Sequence, residues 1–157
     1  MSLLSWNGQG LGNPQIVNTL KKVIRLKDLN LVFLMKTKSD EEWVKIARNQ
    51  CGFKDSHVVP SDGLKGGLAL FWKSDIKVDV LNSSLSFINA LIKGGNRIGC
   101  WHLTGFYDHP ETSQKVESWH LLNSLRDVSQ LSCLVIGDFN EIRCQAEKEG
   151  GVTRPVQ

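Results

Sequence analysis

One short stretch of the sequence joins an apolar run to polar side chains that could do chemistry. The run Cys133–Ile136 is followed at once by Gly137, Asp138, Phe139 and Asn140. A short apolar run that stops at a turn signal predicts a buried strand, and open α/β sheets usually keep their active sites at strand ends. Asp138 can ionise, activate a water or face a metal, whereas Asn140 can both donate and accept hydrogen bonds. The run therefore predicts a buried strand whose tip carries Asp138 and Asn140.

The same stretch also has a purely structural interpretation. Asp138 could cap a following helix or form an Asx-turn, as acidic residues commonly do after a core strand. Phe139 should turn to the opposite face from Asp138, because side chains alternate along a strand. This stretch alone leaves the catalytic and the structural interpretations open, so the rest of the chain must decide between them.

Two other predicted strands also end in polar side chains. The first, Leu3–Trp6, leads directly to Asn7, and a later one leads to Tyr107. His109 follows Tyr107 closely, but we predict only a loop residue there, because no second histidine is placed to form a metal pair. Three predicted strand ends thus carry amide, phenol and carboxylate groups.

Composition bounds the class of protein. The chain has 157 residues, enough for one domain or part of one, and a net charge of +3, which permits a polyanionic partner without requiring one. Its four cysteines show neither zinc-ligand nor disulfide spacing. Cys100 and Cys133 lie in apolar runs, which predicts small buried side chains. We find no signal peptide and no membrane span, so we expect a soluble, intracellular protein that does not contact membranes.

The hydrophobic pattern predicts an α/β fold. Asn13-Pro14 and Ser39–Glu42 have the composition of helix starts, and a third helix is predicted over 111–128. Several consecutive strands, with a hairpin turn at 94–96, separate the second helix from the third. This order of elements favours two sheets packed face to face with helices outside.

The strand-end residues, together with Gly66-Gly67-Leu68-Ala69, resemble the endonuclease/exonuclease/phosphatase superfamily. That superfamily includes deoxyribonuclease I, the apurinic/apyrimidinic endonucleases and the inositol polyphosphate phosphatases. The chain resembles in particular the endonuclease domain of plant non-LTR (LINE-type) retrotransposons. In that domain Ser-Trp-Asn-Cys-Arg-Gly-Leu-Gly-Asn-Pro stands at the start and Gly-Asp-Phe-Asn-Glu-Ile near the middle. The likeness extends from Ser2 to about Pro155.

The resemblance implies a four-layer α/β/β/α sandwich of the deoxyribonuclease I type that cuts phosphodiester bonds with a divalent metal, usually Mg²⁺. Asn7 would then help to arrange the metal, and Tyr107 would contact the scissile phosphate. Asp138 would orient and deprotonate the attacking water, and Asn140 would donate to a phosphate oxygen. Asn7, Tyr107 and Asn140 would thereby bind the nucleic acid, which the resemblance implies is DNA.

Two departures from the family pattern bear on activity. Lys36 stands where the family has the glutamate that is its principal metal ligand, and an ammonium has no lone pair for a metal. The family's late aspartate and its Asp-His pair have no counterpart in the sequence. We therefore expect residues 1–157 to form one domain of this kind that is truncated at its C-terminus.

These observations predict a DNA-nicking phosphodiesterase domain of retrotransposon origin that is impaired or inactive in this chain. The alternatives are a non-catalytic remnant that binds nucleic acid weakly and a phosphatase of the same fold that acts on small phosphoesters. The domain would be nuclear if it were part of a functional retrotransposon protein. Nothing in the sequence indicates an oligomeric state.

Overall fold

The computed structural model of the chain describes residues 1–63, 66–94, 99–108 and 115–140. Eight strands and three helices lie within these ranges. In chain order they are β1 (Leu3–Asn7), α1 (Pro14–Lys27), β2 (Leu31–Met35), α2 (Glu41–Gln50), β3 (Asp55–Val59), β4 (Leu68–Trp72), β5 (Lys77–Ser83), β6 (Phe87–Lys93), β7 (Cys100–Tyr107), α3 (Lys115–Arg126) and β8 (Cys133–Asp138). None of the described helices is long and apolar enough to cross a membrane.

The first four strands form one sheet in the order β1-β2-β4-β3. Strand β1 runs parallel to β2, whereas β4 is antiparallel to both of its neighbours. All five residues of β2 are buried, as its continuous apolar sequence predicts. Strand β2 is therefore a central strand.

Both helices beside this sheet begin where the sequence predicts a helix start, and the first begins at the predicted cap, Asn13. The Asn13 side chain accepts a hydrogen bond from the Gln15 backbone N–H at 3.0 Å, with Pro14 in the first turn. The Asp40 side chain accepts one from the Trp43 backbone N–H at 2.9 Å. Each cap satisfies a backbone donor that the first helical turn leaves without a partner. Local sequence alone accounts for where these helices start.

The remaining strands form a second sheet in the order β5-β6-β7-β8. These strands are antiparallel except that β8 runs parallel to β7. The predicted hairpin turn falls partly on residues 95 and 96, which lie outside the described residues. Helix α3 ends at Arg126, two residues before its predicted end. Its predicted first turn, 111–114, also lies outside the described residues.

Three apolar clusters separate the layers. One fills the space between the first sheet and helices α1 and α2, and includes Leu20 and Phe71. A second lies between the two sheets and includes Phe33 and Leu103. A third, which includes Leu122, lies between the second sheet and α3. Helix, sheet, sheet and helix are thus stacked in that order, and the predicted α/β/β/α sandwich is confirmed.

Strand β8 exists as predicted, but the prediction that it is buried is wrong for its first half. Leu134 and Val135 are 42% and 37% exposed, and Cys133, predicted to be a small buried side chain, is exposed as well. The physical reason is position in the sheet, because β7 is the only neighbour of β8 among the described strands. A continuous apolar run does not by itself distinguish an edge strand from a central one.

Candidate functional site at the strand ends

The candidate site lies where two parallel strand pairs end. Asn7 is the last residue of β1 and pairs with Met35, the last residue of β2. Tyr107 is the last residue of β7 and pairs with Asp138, the last residue of β8. The Asn7 Nδ2 group donates a hydrogen bond to Asp138 Oδ2 at 3.3 Å. This bond joins the two sheets at their ends and brings these residues into one site.

Asp138 is held in place from two sides. Its Oδ2 accepts from Asn7, and its Oδ1 accepts from the Asn140 backbone N–H at 3.0 Å. The second bond is the Asx-turn that the sequence allowed as an alternative, and it coexists with the placement of Asp138 in the cluster. A carboxylate oriented by two donors keeps one geometry, which is a requirement for a group that must position a water.

Asn140 is anchored through a residue to which the sequence had assigned no role. Asn140 has a left-handed backbone, with φ of 46°, and its Nδ2 donates to the Asp108 carbonyl oxygen at 2.6 Å. Asp108 is only 5% exposed, and its carboxylate accepts from the Ser118 hydroxyl of α3 at 2.6 Å. Asp108 therefore connects the strand end to α3. The only signal in the sequence is an acidic residue directly after the apolar strand β7.

The backbone at Gly137 explains why a glycine precedes Asp138. Gly137 has φ of 148°, and a Cβ built there would overlap the backbone carbonyl of Phe106 on the neighbouring strand. Phe139 turns away from the site and stacks on Trp119 with ring centroids 6.2 Å apart, and it also contacts Phe106. The predicted alternation of Asp138 and Phe139 is thus confirmed.

Lys36 also lies at this edge of the molecule. It directly follows β2, is half-buried, and has a left-handed backbone with φ of 51°. Its Nζ lies 5.3 Å from the centroid of the Tyr107 ring, a distance typical of a cation–π contact. An ammonium therefore occupies the place in the cluster next to the predicted phosphate-contacting tyrosine.

These residues do not fit a divalent metal ion. Mg²⁺ requires hard oxygen ligands, chiefly carboxylates, and the described part of the chain contains no group of three His, Cys, Asp or Glu side chains that could hold a metal. One feature does suit a cation, because the Asn7 Oδ1 atom is buried without a hydrogen-bond partner. Two other features disfavour a cation at this site. Asp138 is its single carboxylate, and the Lys36 ammonium repels any cation.

Three described histidines lie outside the site, one of them the exposed His120 of α3. His57 is hydrogen-bonded to Ser83 at 2.8 Å between Nε2 and Oγ, and burial lowers its pKa. His102 is fully buried within the second sheet, hydrogen-bonded to Asn89, and burial lowers its pKa too. His109 lies outside the described residues. The cluster at the strand ends thus consists of Asn7, Lys36, Tyr107, Asp138 and Asn140, supported by Asp108.

No protein-family model and no curated protein matches this sequence. Its structure, however, is similar to solved structures. D. rerio TDP2 complexed with a single-strand DNA product has a TM-score of 0.66 at 17% identity, over 92% of this chain and 62% of that one. An endonuclease/exonuclease/phosphatase family protein from Bacteroides thetaiotaomicron gives 0.66 at 17%, over 88% and 62%.

The endonuclease domain of TRAS1, a telomere-specific non-LTR retrotransposon, gives a TM-score of 0.60 at 14% identity, over 88% of this chain and 58% of that one. The chain thus spans about three fifths of the length of these structures. At such identities a likeness shows the fold alone. The chain has the fold of the endonuclease/exonuclease/phosphatase superfamily.

Proposed function

We propose that this chain is a nucleic-acid-binding domain of the phosphodiesterase type, derived from a retrotransposon endonuclease, in which metal-dependent cleavage is impaired. The observation that carries the proposal is the convergence of Asn7, Tyr107, Asp138 and Asn140 at one edge of the sandwich, linked by the Asn7–Asp138 hydrogen bond. Residues far apart in the sequence meet there in a polar cluster.

The solved relatives favour a nucleic acid as the partner. One is a complex of TDP2 with a single-strand DNA product, and another is a telomere-specific retrotransposon endonuclease domain. We extend this partner class to the present chain as a proposal, with DNA as its specific form. The mildly basic balance of the chain, +3, is compatible with a polyanion.

Each residue has a proposed role that its chemistry allows. The Asp138 carboxylate would orient a water and accept its proton, and the Tyr107 hydroxyl would donate to a phosphate oxygen. Asn140 would donate to a second phosphate oxygen, and Asn7 would hold Asp138 in place through its 3.3 Å bond. A divalent ion, where a phosphodiesterase holds one, stabilises the charge on the phosphate and on the leaving oxygen.

The impairment follows from Lys36. Replacing a carboxylate by an ammonium changes the local charge from −1 to +1, and at an effective dielectric constant near 20 one such interaction is worth about 4 kcal/mol at 4 Å. The described residues then offer one carboxylate at the site, where a bound Mg²⁺ would require more oxygen ligands. We propose that cleavage is slow because this charge reversal disfavours the metal.

Two measurements on the same preparation test the proposal. Fluorescence anisotropy of a labelled duplex and a labelled single strand should show binding to both. The logarithm of the binding constant should fall linearly with the logarithm of the salt concentration. Plasmid nicking in Mg²⁺ should not exceed that of the matched Asp138→Asn variant, which keeps the size of the side chain but loses its charge.

Each contrary result identifies one alternative. Failure of both nucleic acids to bind at low salt would exclude the proposed partner. Mg²⁺-dependent nicking that disappears in Asp138→Asn would show a competent nuclease and refute the impairment. Turnover of inositol phosphates by a protein that ignores DNA would favour the small-phosphoester phosphatase.

A further inference from the structure

Lys36 and Tyr107 each bring a hydrogen-bond donor to the same end of the sandwich. The Lys36 Nζ group lies 5.3 Å from the centroid of the Tyr107 ring. Within the described parts of the chain, neither the ammonium nor the Tyr107 hydroxyl donates to a protein acceptor, and Lys36 forms no ion pair there. Two adjacent donors without acceptors, one of them charged, have the composition of an anion-binding site.

The backbone fixes the position of Lys36. The carbonyl of Met35, just before it, accepts from the Gly8 N–H at 3.1 Å, and the Thr37 N–H, just after it, donates to Gly67 at 3.1 Å. The Thr37 carbonyl in turn accepts from the Leu11 N–H at 2.8 Å. Lys36 itself is held at φ of 51°, a region that a residue with a Cβ adopts only when its surroundings require it. The ammonium therefore extends from a rigid support.

The Lys36 ammonium does not donate to the carboxylate of Asp138. Both oxygens of Asp138 accept hydrogen bonds from other groups, namely the Asn7 amide and the Asn140 backbone. The buried Asn7 Oδ1, at the end of the adjacent strand β1, lacks a donor, which an ammonium or a water could supply. Lys36 thus adds a positive charge to the site without neutralising the carboxylate proposed to hold the water.

We propose that Lys36 and Tyr107 together clamp a phosphate group of the nucleic-acid backbone without a metal ion. The Lys36 ammonium supplies, as part of the chain, the positive charge that a divalent cation supplies in a metal-dependent phosphodiesterase. This inference rests on the proposed function and adds to it the group that contacts the phosphate and the independence from metal. The residue that impairs cleavage thereby strengthens binding.

The test is oligonucleotide binding in EDTA and in Mg²⁺, with Lys36→Met and the matched control Lys38→Met. Lys38 has the same left-handed backbone, with φ of 49°, but its side chain is exposed and does not contact Tyr107. We expect wild-type affinity in EDTA to be at least as high as in Mg²⁺, because the clamp needs no metal and Mg²⁺ competes for DNA phosphates. Lys36→Met should weaken binding about tenfold and reduce the salt slope for duplex DNA by about 0.9, the loss of one phosphate contact. Lys38→Met should change the affinity less than about twofold.

A second readout comes from the single tyrosine of the sequence, Tyr107. Incorporation of 3-fluorotyrosine places one ¹⁹F label at the proposed clamp, so the label reports binding there directly. Its resonance should shift on titration with oligonucleotide and with inorganic phosphate in EDTA, and Lys36→Met should move the midpoint of both titrations to about tenfold higher ligand concentration. The ¹⁹F spectrum also reveals whether each variant is folded.

Several results would overturn the clamp. Binding that requires Mg²⁺, or equal losses in Lys36→Met and Lys38→Met, would refute it and leave the proposed function standing. If no variant binds oligonucleotides, the proposed function fails, and the phosphate titration then decides on the clamp alone. A ¹⁹F shift whose midpoint rises in Lys36→Met supports the clamp, whereas no shift, or a midpoint that Lys36→Met leaves unchanged, overturns it.

Discussion

The two sheets of this molecule differ in how completely they are covered. In the first sheet, β2 is buried along its whole length, and helices α1 and α2 pack on the outer face with an entirely apolar cluster. In the second sheet, β8 begins with three exposed residues, and the outer face carries a buried row of Asn89, His102 and Thr104. One sheet thus has a continuous apolar core on its outer face, and the other has polar groups and an exposed edge.

This difference indicates which part of the fold supports the site. The first sheet supplies Asn7 from the end of its half-buried edge strand β1, and Lys36 from the residue after the fully buried strand β2. The second sheet supplies Tyr107, Asp138 and Asn140 from β7, from β8 and from the residues that follow β8. Within the described residues, Lys36 therefore follows a fully buried central strand, whereas Asp138 ends an edge strand whose first half is exposed. Four predictions test this comparison, beginning with the largest expected effect.

The largest expected difference is between core truncations in the two sheets. Phe71 of β4 is fully buried, with its ring centroid 6.0 Å from that of Phe53, whereas Leu134 of β8 is 42% exposed. Phe71→Ala should lower the free energy of unfolding by about 3–5 kcal/mol, and Leu134→Ala by less than about 1 kcal/mol. Urea unfolding of both variants measures the difference. Equal losses would show that β8 is covered in solution.

The next effect tests how closely the two sheets approach each other. A Cβ built on Gly105 of β7 would overlap the Phe33 ring of β2, so Gly105→Ala should cost about 1–3 kcal/mol through overpacking. Gly12→Ala is the control, because a Cβ there meets no atom within 4 Å. Thermal unfolding of the two variants gives the comparison. A Gly105→Ala variant as stable as the control would contradict this packing of the sheets.

Much of the first sheet could be predicted from local sequence. Asn13 and Asp40 start their helices with side chains that reach two or three residues ahead, and the apolar run of β2 fills a central strand. These features depend on neighbours in the chain. The strand ends at Asn7 and Tyr107 were predictable for the same reason, since a polar residue follows each apolar run directly.

The features that the sequence did not reveal depend on distant residues. The anchoring role of Asp108 depends on a bond from Asn140, 32 residues later, and the contact between Lys36 and Tyr107 joins different sheets. The exposure of β8 depends on which strands flank it, and the run Cys133–Ile136 contains no information about that. The left-handed backbone of Lys36 is equally unexpected, because lysine does not favour that region.

The third prediction concerns that backbone, on the first-sheet side of the site. Lys36 and Lys38 have φ of 51° and 49°, a conformation that costs about 1–2 kcal/mol for a residue with a Cβ. Lys36→Gly and Lys38→Gly remove this cost but give the unfolded chain more freedom, which offsets part of the gain, so each should raise the free energy of unfolding by no more than about 1 kcal/mol. Only Lys36→Gly should weaken phosphate binding. Destabilisation by both substitutions would show that the strain is absent.

The smallest expected effect is a loss of stability at acidic pH that is absent at neutral pH. It concerns the polar row of the second sheet. His102 Nε2 faces Asn89 Oδ1, and the Asn89 amide donates to Asn82 at 3.0 Å, which fixes its oxygen toward the histidine. His102 therefore donates from Nε2, and its buried Nδ1 has no partner among the described residues, so protonation would create an unpaired buried charge. Burial accordingly lowers the pKa of His102 below 6.5.

Because the unfolded chain then binds a proton that the folded chain excludes, the free energy of unfolding should fall as the pH decreases below about 6.5. One proton sets an upper limit of about 1.4 kcal/mol per pH unit on this contribution. Urea unfolding between pH 5 and 7 should show a shallower dependence in His102→Gln than in wild type. His57→Gln is the comparison on the first sheet: burial also lowers the pKa of His57, but its side chain is only half-buried and Glu41 opposes the shift, so this variant should flatten the profile less. If only His57→Gln flattened the dependence of the free energy of unfolding on pH, the acid sensitivity would arise in the first sheet. The polar row would then not distinguish the second sheet from the first.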